Sequence, residues 1–310
     1  MSLIERAAKR LEELRRAGID VPSHVGNEGG RTRMLNPIEG RASPDQPHQL
    51  LAHSPELHTG EPARTSRGYF ELNLERLAAM GFVTPDIPRS RIADEFRILK
   101  RPLIANASAK KAAPVKQGNL IMVTSSVPGE GKTFSAVNLA MSLAMEMDQT
   151  VLLVDADVAR PSLPSLLGLP QAKGLLDVLD SKTVNLGDVL LRTNVEKLSI
   201  LPSGTSHPQA TELLASGAMT QLLTELSARD SNRIVIFDSP PLLVTTESRV
   251  LAAQMGQIVF IVHAESTLQS DVKRALATIE SCPIKMVVLN QARTVGQGAH
   301  GYGYGYGYGS

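Results

Sequence analysis

The stretch TSSVPGEGKTFSA, residues 124–136, sets two glycines, a lysine and a hydroxyl at the spacing that cradles an anion. Gly129 and Gly131 let the backbone turn tightly, so that successive N–H groups and the start of a following helix face one point. Lys132 stands where an ammonium reaches the outer phosphates of a nucleotide, and Thr133 offers a hydroxyl to Mg²⁺. The strict phosphate-loop pattern asks for glycine at 126, where this chain has Ser126. An apolar run before the loop and a helical pattern after it supply the context that the pattern needs. Nucleotide binding therefore outweighs a chance glycine turn.

Acidic residues recur in the same setting. VLLVDADVAR carries Asp155 and Asp157 at the end of an apolar run, and RIVIFDSPP ends another with Asp238. A lone aspartate there is as readily a helix cap or turn former. Three beside a phosphate loop are another matter, because ligands of a parallel sheet bind at the carboxyl ends of its strands. Mg²⁺ takes one or two carboxylates together with waters and phosphate oxygens, which Asp157 and Asp238 can supply with Thr133. The cofactors expected are ATP and Mg²⁺.

Such a site needs strands and helices to position it. NLIMVTS (119–125), TVLLVDA (150–156), KLSILPS (197–203), RIVIFDS (233–239), QIVFIVHA (257–264) and IKMVVLN (284–290) are continuous apolar runs, as expected of strands covered on both faces. Helical patterns such as GKTFSAVNLAMSLAMEM and ATELLASGAMTQLLTEL separate them. The alternation predicts an α/β fold: an open, largely parallel sheet of P-loop NTPase type with helices on both faces. RGYFELNLERLAAMGFVTPD, just upstream, reads as a helical pattern ending at Gly81.

The remainder divides simply. Residues 1–20 read as an amphipathic helix, with a Ser2/Glu5 capping box, a stop at Gly18 and an apolar stripe of Ile4, Ala7, Leu11 and Leu14. Residues 21–68, proline-rich and without Phe, Trp or Tyr, read as a flexible linker. Its His24, His48, His53 and His58 match no ligand spacing and are expected to be solvated. The α/β unit is expected over 69–292, followed by a flexible tail, 293–310, ending GYGYGYGYGS.

Composition excludes several classes. A formal charge of +1 with 20% charged residues argues against nucleic acid as a partner. The single cysteine, Cys282, has no basic neighbour to activate it and is expected as a buried thiol. The charged opening MSLIERAAKRLEELRRAG is no signal peptide, and no apolar run is long enough to span a bilayer. Any membrane role is expected to be peripheral or to go through a separate partner.

With PGEGKT as phosphate loop, LLVDADVAR and IVIFDSPP as acidic motifs, HPQATELLAS between them and a terminal tyrosine cluster, the sequence resembles the bacterial tyrosine kinases of P-loop type. It is most similar to the exosortase-associated tyrosine autokinases of exopolysaccharide export. The resemblance covers roughly residues 70–310. It implies that Pro128, Gly129, Glu130, Gly131, Lys132, Thr133 and Phe134 bind nucleotide, and that Lys132, Asp155, Asp157 and Asp238 form the catalytic set. Thr133, Asp157 and Asp238 would hold the metal. Asp155 would orient, or also deprotonate, a tyrosine hydroxyl, and Arg160 would contact phosphate or a neighbouring subunit.

The resemblance makes Tyr302, Tyr304, Tyr306 and Tyr308 the autophosphorylation sites, modified in trans; a cloning-derived tail is the alternative. It implies a ring-type homo-oligomer, built through Asp94, Arg97 and Lys100 in ADEFRILKRPL, where the family pattern has Glu, Arg and Arg. Four phosphotyrosines would add roughly −6 to −8 charges per chain and loosen such a ring. The further partners implied are a membrane-embedded polysaccharide co-polymerase, or chain-length determinant, and a cognate tyrosine phosphatase. The expected location is the cytoplasmic side of the inner membrane, peripherally, through that partner. Two rival readings are a partitioning or positioning ATPase, whose signature lysine is replaced here by Val127, and a non-catalytic nucleotide-dependent assembly module.

Overall fold

The computed structural model describes residues 68–108, 115–181, 183–228, 230 and 232–292. The expected N-terminal helix, nearly all of the linker with its histidines, and the tail with Tyr302, Tyr304, Tyr306 and Tyr308 lie outside the described residues.

In chain order the elements are β1 (Tyr69–Phe70), α1 (Leu74–Ala79), α2 (Arg91–Ala107), β2 (Leu120–Ser125), α3 (Lys132–Ala144), β3 (Thr150–Asp155), α4 (Leu163–Leu167), α5 (Leu175–Asp180), α6 (Leu186–Val189), β4 (Leu191–Thr193) and β5 (Leu198–Leu201). There follow α7 (Ala210–Leu214), α8 (Gly217–Ala228), β6 (Arg233–Asp238), α9 (Glu247–Ala252), β7 (Gln257–His263), α10 (Gln269–Ala277) and β8 (Ile284–Asn290). The strands form one sheet in the order β1-β4-β5-β3-β6-β2-β7-β8. All its pairings are parallel except β4 with β5.

Alternation within the apolar runs builds a core on each face. Ile121, Val123, Val151, Leu153, Ile234 and Ile236 join one cluster with Phe96 and Leu103 of α2 and Leu139 and Leu143 of α3. Leu120, Met122, Leu152, Val154, Val235 and Phe237 join the other, under α5, α8 and α9. The central strands therefore carry no polar face, which is why period two does not show in them. On α2 the buried positions are Ala93, Phe96, Lys100 and Leu103, the three- and four-residue steps of one helical face.

The structure departs from the sequence reading in two places. The segment read as helical from Arg67 begins instead with β1, and α1 starts only at Leu74, where the Asn73 side chain accepts the Arg76 N–H at 2.8 Å. The run at 284–290 is not covered on both faces: β8 is an edge strand whose alternate residues are exposed. Cys282 is buried, and burial pushes its thiol pKa up.

Candidate functional site

The phosphate loop spans the turn from β2 into α3. Gly129 and Gly131 both take left-handed backbone, with φ of 85° and 91°, which side chains with a Cβ rarely adopt. A Cβ on Gly131 would also collide with the side-chain amide of Asn290. The loop is held from inside by Glu130, only 2% exposed. Its carboxylate accepts the Val127 N–H at 2.7 Å and the Thr267 hydroxyl, while its carbonyl accepts from Asn290 Nδ2 at 2.9 Å. Thr267 in turn accepts the His263 N–H at 3.1 Å, so the turn between β7 and α10 braces the loop.

The acidic strand ends converge on the same edge. Asp155 of β3 lies directly opposite Asp238 of β6, and Asp238 lies opposite Val123 of β2, two residues before the loop. The segment after Asp238 is stapled to the loop's approach: Thr124 Oγ1 donates to the Pro240 carbonyl at 2.9 Å, and the Leu242 N–H donates to the Ser125 carbonyl at 2.9 Å. Lys132 Nζ pairs with Asp157 Oδ2 at 2.7 Å, and the other Asp157 oxygen accepts the Arg160 N–H at 3.2 Å. Thr133 Oγ1 and Ser162 Oγ are 3.0 Å apart.

Asp155 and Asp238 are fully buried, and neither carboxylate has a hydrogen-bond partner. Burial, with Asp238 and Asp157 nearby, pushes the Asp155 pKa up to about 8. Burial raises Asp238 to about 6, against the pull of the Lys132 charge and of the Thr133 hydroxyl, which lies nearby but outside hydrogen-bonding geometry. Three carboxylates facing one ammonium leave the cleft short of positive charge. Orphaned buried carboxylates next to a hydroxyl fit a hard divalent cation such as Mg²⁺, whose remaining ligands are waters and phosphate oxygens. Among the described residues no three His, Cys, Asp or Glu side chains are grouped to hold a metal by themselves.

The structure thus brings Lys132, Asp155, Asp157, Asp238 and the loop 128–133 together. Phe134 lies at the start of α3 with its ring against Phe82, centroids 4.8 Å apart. The Arg160 side chain is exposed. Of the three residues expected at an oligomer interface, Asp94 and Arg97 form an exposed ion pair, but Lys100 does not join them. It is 4% exposed, pairs with Glu146 at 2.8 Å and donates to the Ser142 carbonyl, fastening α2 to the end of α3. The helical face occupied by Ala93, Phe96 and Leu103 was the available signal for this. Thr267 and Asn290 were not anticipated. Asn290 could have been, as a polar end to an apolar strand on the ligand edge of the sheet; nothing in the sequence marks Thr267.

The AAA domain family matches residues 118–286. The chain is 29% identical over 200 residues to tyrosine-protein kinase YwqD of Bacillus subtilis (strain 168), covering 64% of this chain and 80% of that protein. Among solved structures, the kinase domain of Escherichia coli tyrosine kinase ETK superposes with a TM-score of 0.57 at 25% identity, covering 72% of this chain and 86% of that one. The chimerical protein CapA2B2 superposes with the same TM-score, 0.57, at 25% identity, covering 71% and 92%.

Proposed function

From the premise that the chain belongs to the AAA domain family and is a bacterial protein-tyrosine kinase of P-loop type, we propose that it is an autokinase that phosphorylates Tyr302, Tyr304, Tyr306 and Tyr308 of another copy. The observation that carries this reading is the pair of orphaned carboxylates, Asp155 and Asp238, beside a glycine-built anion loop and its lysine. With Asp157 and Asp238 assigned to the metal, the buried Asp155 is left to meet the hydroxyl that accepts the phosphoryl group.

Phosphoryl transfer depends on positioning and charge stabilisation, because its transition state is loose. Loop N–H groups from Gly129 to Thr133 would hold the phosphates, and Lys132, now on Asp157, would turn to the β- and γ-oxygens. Thr133, Asp157 and Asp238 would hold Mg²⁺, which when bound supplies charge neutralisation at the phosphates. Asp155, in its carboxylate form, would accept a hydrogen bond from the incoming phenol, whose free pKa is about 10, and take up its proton as the bond from the phenol oxygen to the γ-phosphorus forms and the bond from that phosphorus to the β,γ-bridging oxygen breaks, with ADP as the leaving group. The Gly-Tyr alternation keeps each phenol accessible, and tethering raises its effective concentration.

The same reading makes regulation of exopolysaccharide synthesis or export the context. Its partners would be copies of itself in a ring using Asp94 and Arg97, a membrane-embedded polysaccharide co-polymerase and a tyrosine phosphatase. The ring expectation loses Lys100 as a contact. No helix among the described residues is long and apolar enough to cross a membrane. Association with the inner membrane would accordingly run through the partner.

Incubating the purified protein with Mg-ATP and mapping phosphate by mass spectrometry tests the reading. Phosphotyrosine confined to 302–308, and absent from an Asp155→Asn variant, is the expected result. Release of inorganic phosphate with an unmodified tail would replace it with the ATPase reading.

A further inference from the structure

The sheet ends on β8, and among the described residues nothing pairs with its outer edge. Ile284, Met286, Val288 and Asn290 are half-buried, while Lys285, Val287 and Leu289 are exposed. Met286 and Val288 pack on the core beneath α2 and α3. Val287 and Leu289, 54% and 60% exposed, therefore stand on the other face. An open edge presents a row of unpaired backbone donors and acceptors, and an apolar strip beside it is a surface that proteins normally cover.

We propose that this edge is covered by residues 302–308 of the same chain, pairing with β8 as an added strand whose tyrosine rings lie along the exposed side of Val287 and Leu289. Period, length and reach all favour this occupant. GYGYGYG repeats every second residue, the spacing that puts every ring on one face of a strand. Set one residue out of full register, so that tyrosines stand opposite the exposed positions, residues 302–308 still pair with all but one of the 7 residues of β8. Residues 291–301, which include Gly296, Gly298 and Gly301, are ample for an antiparallel return, since hairpin loops need only about 2–5 residues.

In antiparallel pairing, opposite residues share a face, so tyrosines set against 285, 287 and 289 meet the exposed apolar strip directly. Their hydroxyls stay in water at the rim. The glycines fall on the opposite face, beside Met286 and Val288, and each lowers the strand's stability through backbone entropy. The added strand is consequently weak, as suits a segment that must leave again.

Its consequence for regulation rests on the autokinase reading. Phosphates on one face of a strand would sit about 7 Å apart, each carrying roughly −1.5 to −2 charges. Lys285, the cation on that face of β8, is already bound to the carbonyls of Glu280 at 3.2 Å and Cys282 at 2.5 Å. Phosphorylation therefore releases the tail and reopens the edge. The unmodified tail is held back from active sites while it is paired.

Amide hydrogen exchange of 284–290 in the full, unphosphorylated chain without nucleotide tests the proposal. The control is the same chain with Tyr302→Gly, Gly303→Tyr, Tyr306→Gly and Gly307→Tyr, which keeps the tail's composition and destroys its period. The expected result is protection of the outward amides that falls about tenfold in the reordered tail. Val287→Lys with Leu289→Lys should give the same loss with the tail intact. Equal exchange in original and reordered chains overturns the proposal. So does protection that grows with protein concentration, since a second copy would then occupy the edge. No nucleotide is present, so these outcomes stand apart from whether the chain phosphorylates itself; fully phosphorylated protein, compared afterwards, should exchange like the reordered chain.

Discussion

Two lysines of this molecule, Lys100 buried and Lys132 half-buried, meet carboxylates at nearly the same distance and do opposite things. Lys100 reaches Glu146 at 2.8 Å and Lys132 reaches Asp157 at 2.7 Å. Around Lys100 the polar groups are matched: the Ser142 carbonyl takes a second hydrogen bond, and Arg101 adds a charge 3.4 Å from Glu146. Burial pushes the Glu146 pKa up, but Lys100 and Arg101 together hold it below the ordinary range. Around Asp155 and Asp238 the one ammonium of Lys132, already paired with Asp157, does not offset burial, and both carboxyls stay raised. A satisfied pair marks a clamp, and an unsatisfied excess of one charge marks a place for a ligand.

The sharpest way to break this contrast is to remove each ammonium in turn. Lys132→Met should cut autophosphorylation about 10²–10³-fold, as expected for loss of a charge aimed at the transferring phosphoryl group. Radiolabelled phosphate transfer measures it. Lys100→Met should leave that rate within about twofold while lowering unfolding free energy by roughly 2–3 kcal/mol in urea. The figure sits at the lower end for a broken buried pair because Glu146 keeps Arg101 and is 23% exposed. A Lys100→Met protein that folds normally but loses activity would erase the distinction.

Asp155→Asn separates stability from function within the site itself. Phosphoryl transfer should fall by about 10²–10⁴, the range for a lost general base. Unfolding free energy measured at pH 8 should rise by roughly 1–3 kcal/mol, because a buried carboxylate without a donor is replaced by a neutral group. At pH 4 the two proteins should differ little, since Asp155 is already protonated when folded.

The pH profiles of the two regions sharpen the comparison by their signs. Asp155 has a folded pKa of about 8 and an unfolded one of about 3.9, so between those values the folded chain holds the extra proton. Its contribution to stability is present at low pH and is lost as pH rises toward 8. Glu146 is depressed, so its contribution is present above the ordinary glutamate range and is lost as pH falls through its lowered value. Urea unfolding of the nucleotide-free protein should therefore show an alkaline loss that Asp155→Asn removes and an acid loss that Lys100→Met reduces.

Much of this was legible in advance. Six of the strands stand within a residue or two of the apolar runs, because a strand buried on both faces must be apolar throughout, whatever surrounds it. The phosphate loop was readable despite Ser126, since its function depends on Gly129 and Gly131 taking left-handed backbone. Lys100 was expected at an oligomer interface because it stands where the family pattern has an arginine, although its three- and four-residue spacing to Phe96 and Leu103 puts it on the packed face. β8 looked like its neighbours, and only its position at the end of the sheet exposes Val287 and Leu289.

The sequence by itself determined the repeat of strand and helix, the conformation of the anion loop and the carboxyl-end placement of Asp155 and Asp238. Each of these follows from local rules of backbone freedom and apolar patterning. The tertiary structure decided which charges find partners: Asp157 takes Lys132, Glu146 takes Lys100, Thr267 takes Glu130, and the two strand-end aspartates are left with none. Partnership is a property of distance and desolvation across the packed sheet, and residues 25 to 137 positions apart in the chain meet only when the strand order is set.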